Sequence, residues 1–141
     1  MRYTVLFSII LFAILTGCSK DKFESTPSLK FKSVSSKIIP PGYDIQFTLE
    51  FTDAEGDLND SIYIEKNEPT CVASSFTDYY DIPSFPVTKN EKGDILVNFR
   101  SIDIAPQCQR NDTAVFRFVI KDKAGHVSDT ASSPPIVILY Q

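Results

Sequence analysis

The stretch Tyr43-Asp44-Ile45-Gln46-Phe47-Thr48-Leu49-Glu50-Phe51-Thr52 alternates apolar and polar residues without a break. In an extended chain successive side chains point to opposite faces, so Tyr43, Ile45, Phe47, Leu49 and Phe51 share one face. On a helix the same residues would scatter around the axis. The period of two therefore specifies a strand with one side in a core and the other in water. Working outward, Leu29-Lys30-Phe31 begins an earlier strand that ends before the turn Pro40-Pro41-Gly42. Residues 53–60 read as a loop and Ile62-Tyr63-Ile64 as the next strand, followed by an irregular stretch around Cys71. Residues 79–85 read as an edge strand, because Pro83 and Pro86 cannot donate to a ladder. Lys89-Asn90-Glu91-Lys92-Gly93 reads as a turn into residues 94–100, where Ile95, Val97 and Phe99 alternate. Residues 113–120 alternate again through Phe116, Phe118 and Ile120, residues 122–125 turn the chain, and residues 136–140 form a last strand after Pro134-Pro135.

These are seven short strands with evenly spaced turns and no helical period. They predict an all-β immunoglobulin-like or fibronectin-like β-sandwich of about seven strands over residues 29–141. With the strands lettered A to G, the B–C and F–G loops lie at one end of such a sandwich. The C–D and E–F connections lie at the other.

The chain opens differently. Arg2 is followed by an apolar run over residues 5–15, broken only by Ser8. That length suits the core of a signal peptide, whereas a membrane-spanning helix needs roughly 20 residues. The run ends in Leu15-Thr16-Gly17-Cys18, which resembles the lipobox of bacterial lipoprotein precursors. The resemblance implies cleavage after residue 17 and a diacylglycerol on Cys18, and hence a membrane held through several acyl chains. An ordinary secretory signal with a chance cysteine is the alternative. Residues 1–17 are then the signal peptide and 18–28, polar and containing Pro27, a flexible tether. Ser19 is not the aspartate that marks inner-membrane retention in such lipoproteins, which favours the outer membrane. Lys20-Asp21-Lys22 resembles a surface-export signal of Bacteroidota lipoproteins, with the periplasmic and outer faces both open.

Cleavage leaves 124 of the 141 residues, one domain's worth. Loss of Arg2 takes the formal charge from −4 to −5, which offers nothing to nucleic acid. With Cys18 lipidated, Cys71 and Cys108 remain as an even pair in an oxidising compartment. Two free thiols or a metal pair are the other readings, but neither cysteine has a further cysteine or histidine at ligand spacing. A disulfide between them contributes about 4 kcal/mol in the chain-entropy model. Both cysteines fall in connections at the same end of the sandwich, as a bridge requires.

The B–C loop reads Asp53-Ala54-Glu55-Gly56-Asp57-Leu58 and the F–G region Asp122-Lys123-Ala124-Gly125-His126-Val127-Ser128-Asp129. Both resemble segments of bacterial cell-surface immunoglobulin-like and cadherin-like repeats, with His126 where asparagine is usual. The resemblance implies the fold class and leaves function open. Calcium takes six to eight hard oxygen ligands, so Asp53, Glu55 and Asp57, with Asp122 from the facing loop, are candidate ligands. The EF-hand spacing is not met. The competing reading makes Asp53 and Asp57 turn residues that cap local N–H groups, with Gly56 supplying a positive φ.

Other chemistry is thinly represented. His126 is the only histidine and sits in a predicted turn, and no Gly-x-Ser-x-Gly elbow or glycine-rich phosphate loop occurs. No enzyme activity is expected. Phe76, Tyr79, Tyr80 and Phe85 cluster near the edge strand, either as packing or, through Tyr79 and Tyr80, as a stacking platform for sugars. Asp60-Ser61-Ile62, Asp112-Thr113-Ala114 and Asp129-Thr130-Ala131 resemble O-glycosylation sites of Bacteroidota. The expectation is a membrane-anchored lipoprotein acting as a non-catalytic interaction or structural module at the cell envelope. A glycan-binding accessory lipoprotein and a subunit of a larger envelope assembly are the alternatives.

Overall fold

The computed structural model describes residues 23–140, apart from 59, 84, 85 and 87. The expected signal peptide, the expected lipidation site Cys18 and the first residues of the expected tether lie outside this range, and so does Phe85. Among the described residues nine strands form two sheets: β1 (Ser28–Val34), β2 (Ile38–Ile39), β3 (Ile45–Asp53), β4 (Ser61–Asn67), β5 (Phe76–Asp81), β6 (Glu91–Phe99), β7 (Asp112–Lys121), β8 (Ala131–Ser132) and β9 (Ile136–Ile138). One sheet runs β1-β3-β6 and the other β2-β9-β7-β4-β5, with β8 beside β7. The expected sandwich is present. The fifth strand joins the β7–β4 sheet rather than the sheet of β1 and β3.

The alternation of β3 fixes the core. Ile45, Phe47, Leu49, Phe51 and Asp53 all turn inward. The Phe47 ring meets those of Phe116 at 4.7 Å, Phe118 at 5.2 Å and Phe99 at 6.3 Å, so one residue couples both sheets. From β7, Ala114, Phe116, Phe118 and Ile120 enter the same layer fully buried.

Strand A of the sequence reading is two strands in different sheets. β1 pairs antiparallel with β3, while β2 pairs parallel with β9. The crossing lies at Ser35 and Ser36, where the Ser36 hydroxyl takes the Ile38 N–H at 3.1 Å in place of a ladder partner. Strand G is shorter than expected, Ile136–Ile138, and an unexpected short strand, β8, precedes it; Pro134 and Pro135, with no N–H to offer, separate the two. Ser133 repairs the break: its hydroxyl accepts the Phe116 N–H at 3.0 Å. The irregular connections carry two short helical turns, a 3₁₀ turn Val72–Ser74 and α1 (Ser101–Ile104).

Two strand boundaries differ from expectation. β5 covers Phe76–Asp81 rather than residues 79–85, because its register against β4 runs from Lys66↔Phe76 to Ser61↔Asp81 and Pro83 follows at once. β6 starts at Glu91, and the expected turn over residues 89–93 shrinks to Asn90, which takes a positive φ of 57°. Gly93 is therefore a strand residue opposite Phe51. A Cβ there would lie 2.9 Å from the Phe51 ring, so glycine at this position makes room for an aromatic side chain.

Candidate functional site

β3 ends on Asp53, β4 begins at Ser61, β6 begins at Glu91 and β7 ends at Lys121, so their junctions meet at one end of the sandwich. Asp53 is fully buried. Its Oδ2 accepts the Gly56 N–H at 2.7 Å and the Asp57 N–H at 3.0 Å, which closes the B–C turn. Gly56 has a φ of +69°, and a Cβ on it would fall 2.1 Å from the Thr88 carbonyl oxygen. Only glycine serves there, for conformation and for space. Leu58 then plugs the core.

Asp122 is held in the same way from the other side. Its Oδ1 accepts the His126 N–H at 2.7 Å, and its Oδ2 stands 2.9 Å from His126 Nδ1. That hydrogen bond, reinforced by the Asp122 charge, raises the imidazole pKa above its ordinary value, with Glu55 and Asp57 adding to the effect. The Lys123 N–H bonds the Asp57 carbonyl at 3.2 Å and ties the two loops together. One carboxylate oxygen each from Asp53, Asp57 and Asp122 then lies within 4.8 Å of the others.

Of the four expected cation ligands, three are thus brought together. Glu55 is exposed and lies outside this group, because the turn that buries Asp53 swings its neighbour outward. A residue missed in the sequence lies beside the group: Glu91 is the direct cross-strand partner of Asp53. Burial and the Asp53 charge push its carboxyl pKa up. Asp53 Oδ1, Asp57 Oδ1 and Glu91 Oε2 are all buried without a hydrogen-bond partner. The turn reading of Asp53 is met through Oδ2, and it leaves Oδ1 without a partner.

The opposite end carries the disulfide. Cys71 and Cys108 are bridged, with Cα atoms 5.9 Å apart. Beneath them Lys66 is almost fully buried, donating to the Ser74 carbonyl at 3.1 Å and the Ile104 carbonyl at 2.8 Å. Its ammonium also stands 2.8 Å from Glu68 Oε1. Desolvation lowers the lysine pKa, against the opposing pull of Glu68 and Asp112. Asp112 accepts from the Thr70 hydroxyl and from the Thr113 N–H. Glu68, Cys71 and Asp112 lie close enough to share an ion. The sulfur is spent in the bridge and an ammonium already sits against Glu68, so this group is a structural brace.

Tyr79 and Tyr80 do not make one platform. As neighbours on a strand they point to opposite faces. Tyr80 turns toward Phe99, with ring centroids 6.3 Å apart, while Tyr79 packs at a tilt against Tyr63, with centroids 5.1 Å apart. The aromatic pair on the outer face is therefore half-buried Tyr63 and exposed Tyr79, which the sequence hid because Tyr63 sits sixteen positions away. Of the three hydroxyl sites, Ser61 is half-buried within β4, whereas Thr113 and Thr130 are exposed.

No family model matches the sequence, and no curated protein matches it. Among solved structures, the chain is similar to Spo0M, a sporulation control protein from Bacillus subtilis, at 12% identity and a TM-score of 0.46. That alignment covers 84% of this chain and 51% of the other, so the chain spans about half its length. A β-glucosidase from Listeria innocua aligns at 12% identity and a TM-score of 0.48, over 86% of this chain and 17% of the enzyme. A Niemann-Pick type C2 protein from Japanese carpenter ant aligns at 9% identity and a TM-score of 0.41, over 85% of this chain and 99% of that one.

Proposed function

We infer that this chain is a cell-envelope lipoprotein, held by acyl chains on Cys18, whose sandwich acts as a non-catalytic interaction or structural module. The reading rests on the difference between the two ends of the sandwich. Residues 23–27 lead into the acidic end, where the Glu24 carbonyl accepts the Ala54 N–H at 3.1 Å. The far end bears exposed Tyr43, Val72 and Ile102. A groove of about 520 Å³ runs there between Pro40, Pro41, Ile102, Pro106 and Tyr140. Single exposed apolar residues are ordinary, but this groove has exposed Ile102 and Tyr140 beside a run of prolines, which suits a contact surface. A domain tethered at one end offers the other to a partner. The outer membrane is the favoured location, as the residue after Cys18 is not aspartate.

Fractionation tests the anchor. The native chain should stay with membranes until detergent is added, and Cys18→Ala should release a folded soluble protein. A variant that remains membrane-bound refutes the anchor. A photocrosslinker in place of Ile102 should capture an envelope partner that the same group in place of Lys30 does not, and equal capture at both refutes the contact surface. The tilted Tyr63–Tyr79 pair, with Tyr79 exposed, favours glycan binding as a second reading. That reading requires Tyr79→Ala to abolish retention on envelope polysaccharide.

A further inference from the structure

We propose that Asp53, Asp57 and Asp122, joined by Glu91 at the head of β6, form a calcium site that braces the end of the sandwich nearest the tether. A cluster of acids is common on protein surfaces and binds nothing in most cases. Here particular carboxylate oxygens are shut off from solvent. Asp53 is fully buried, and its Oδ1 has no hydrogen-bond partner. Glu91 faces it directly across the β3–β6 ladder and keeps its own buried oxygen, Oε2, unbonded. Like charges in directly opposed positions destabilise a sheet. Buried charged acceptors without partners cost more than any other polar burial. A third such oxygen, Asp57 Oδ1, belongs to the same group. The turn does not account for these atoms, since Asp53 serves the Gly56 and Asp57 N–H groups through Oδ2 alone.

A cation satisfies them at once. The oxygens of Asp53, Asp57 and Asp122 lie within 4.8 Å of one another. Two ligands each about 2.4 Å from one ion can be no further apart than that, and about 2.4 Å is a calcium–oxygen distance. Magnesium uses one or two carboxylates and keeps its water, so three converging carboxylates with a fourth across the ladder favour calcium. Loop carbonyls and water would complete the shell. The ion also reaches the tether through Ala54, which sits between Asp53 and Glu55. Its N–H bonds the Glu24 carbonyl at 3.1 Å, and its carbonyl accepts the Asn90 N–H at 3.0 Å. Filling the site therefore stiffens the last residues before β1. The site belongs to the fold, so its failure would leave the reading of Cys18 untouched.

The competing account is a proton shared between Asp53 and Glu91. Calorimetric titration of the chelator-treated, detergent-solubilised chain at pH 7.5 separates the two, with magnesium as control. One calcium should bind per chain, with a Kd of about 10⁻⁴ to 10⁻³ M, the range of extracellular modules. At 5 mM calcium the melting temperature should rise by about 4–9 °C, and amide exchange at Ala54 should slow. Glu91→Gln and Asp53→Asn, which keep shape and can still close the turn, should abolish both the heat and the shift. Absence of heat and shift in the native chain at 10 mM calcium overturns the site. So does an equal shift in the native chain and both variants. Under proton sharing, Glu91→Gln would instead stabilise the calcium-free chain, and calcium would do nothing.

Discussion

Replacing Lys66 by methionine isolates the buried brace at the disulfide end. The lysine is almost fully buried; its ammonium donates to the Ser74 carbonyl at 3.1 Å and the Ile104 carbonyl at 2.8 Å, and forms an ion pair with Glu68 Oε1 at 2.8 Å. Methionine keeps most of the volume and removes the charge. Glu68, with no exposed surface, is then a buried carboxylate facing no cation. Breaking a buried ion pair from one side costs about 3–5 kcal/mol, mostly because the surviving charge is stranded. The urea slope of a domain this size is about 1–3 kcal/mol per molar. Lys66→Met should therefore lower the denaturation midpoint by roughly 2 M, followed by far-ultraviolet circular dichroism at pH 7. The decisive comparison is the double variant Lys66→Met/Glu68→Leu. Removing both charges should recover most of the loss, leaving about 1–2 kcal/mol for the two orphaned carbonyls. The double-mutant cycle then yields a coupling energy of about 2 kcal/mol or more. A single variant that costs less than about 1 kcal/mol, or a double variant no better than the single, would show that stranded charge is not what the brace prevents.

The disulfide closes a sequence separation of 37 residues, so Cys71→Ser/Cys108→Ser should cost about 4 kcal/mol in equilibrium unfolding; a loss under about 1 kcal/mol would refute the entropic account. Gly56→Ala should cost more than Gly93→Ala in the same assay. At Gly56 the new Cβ meets a backbone carbonyl at 2.1 Å under a positive φ, whereas at Gly93 it meets a side-chain ring at 2.9 Å that can shift. The expectation for Gly93→Ala is about 1–3 kcal/mol. Phe47→Ala removes the ring shared by both sheets and should cost about 3–5 kcal/mol, and a value near 1 would mean that the core collapses into the space.

The strands with the longest alternation were legible in the sequence. β3 and β7 bury one face and wet the other, so periodicity alone places Phe47, Phe116 and Phe118 in the core. The disulfide was legible by counting, because two cysteines remain once Cys18 is set aside and both fall in connections at one end. Glu91 and Lys66 were not. Both are charged residues on the inward face of a strand, where composition argues for solvent. The signal was nonetheless present. Counting back by twos from Phe99 through Val97, Ile95 and Gly93 reaches Glu91, and counting forward from Ile62 through Ile64 reaches Lys66. Glu55 misled for the opposite reason: it is near Asp53 in sequence, but a tight turn sends adjacent side chains apart. The pairing of Asp53 with Glu91 depends on the β3–β6 register, which no local pattern carries. The split of the first strand was hidden too, since Ser35 and Ser36 do not interrupt polarity and differ only in where their hydrogen bonds go.

That split gives the domain a mechanical character. The N-terminal chain enters at the acidic end and runs the length of the sandwich, first zipped to β3 and then beside β9. For a domain fastened at its N terminus and gripped at its far end, tension runs parallel to these strands. The hydrogen bonds of β1 are then loaded together in shear, rather than opened one at a time from an edge. Resistance to forced unfolding is governed by the unfolding barrier rather than by equilibrium stability. Sharing the first strand between two sheets means that its extraction must break the β1–β3 ladder and then the β2–β9 pairing as well.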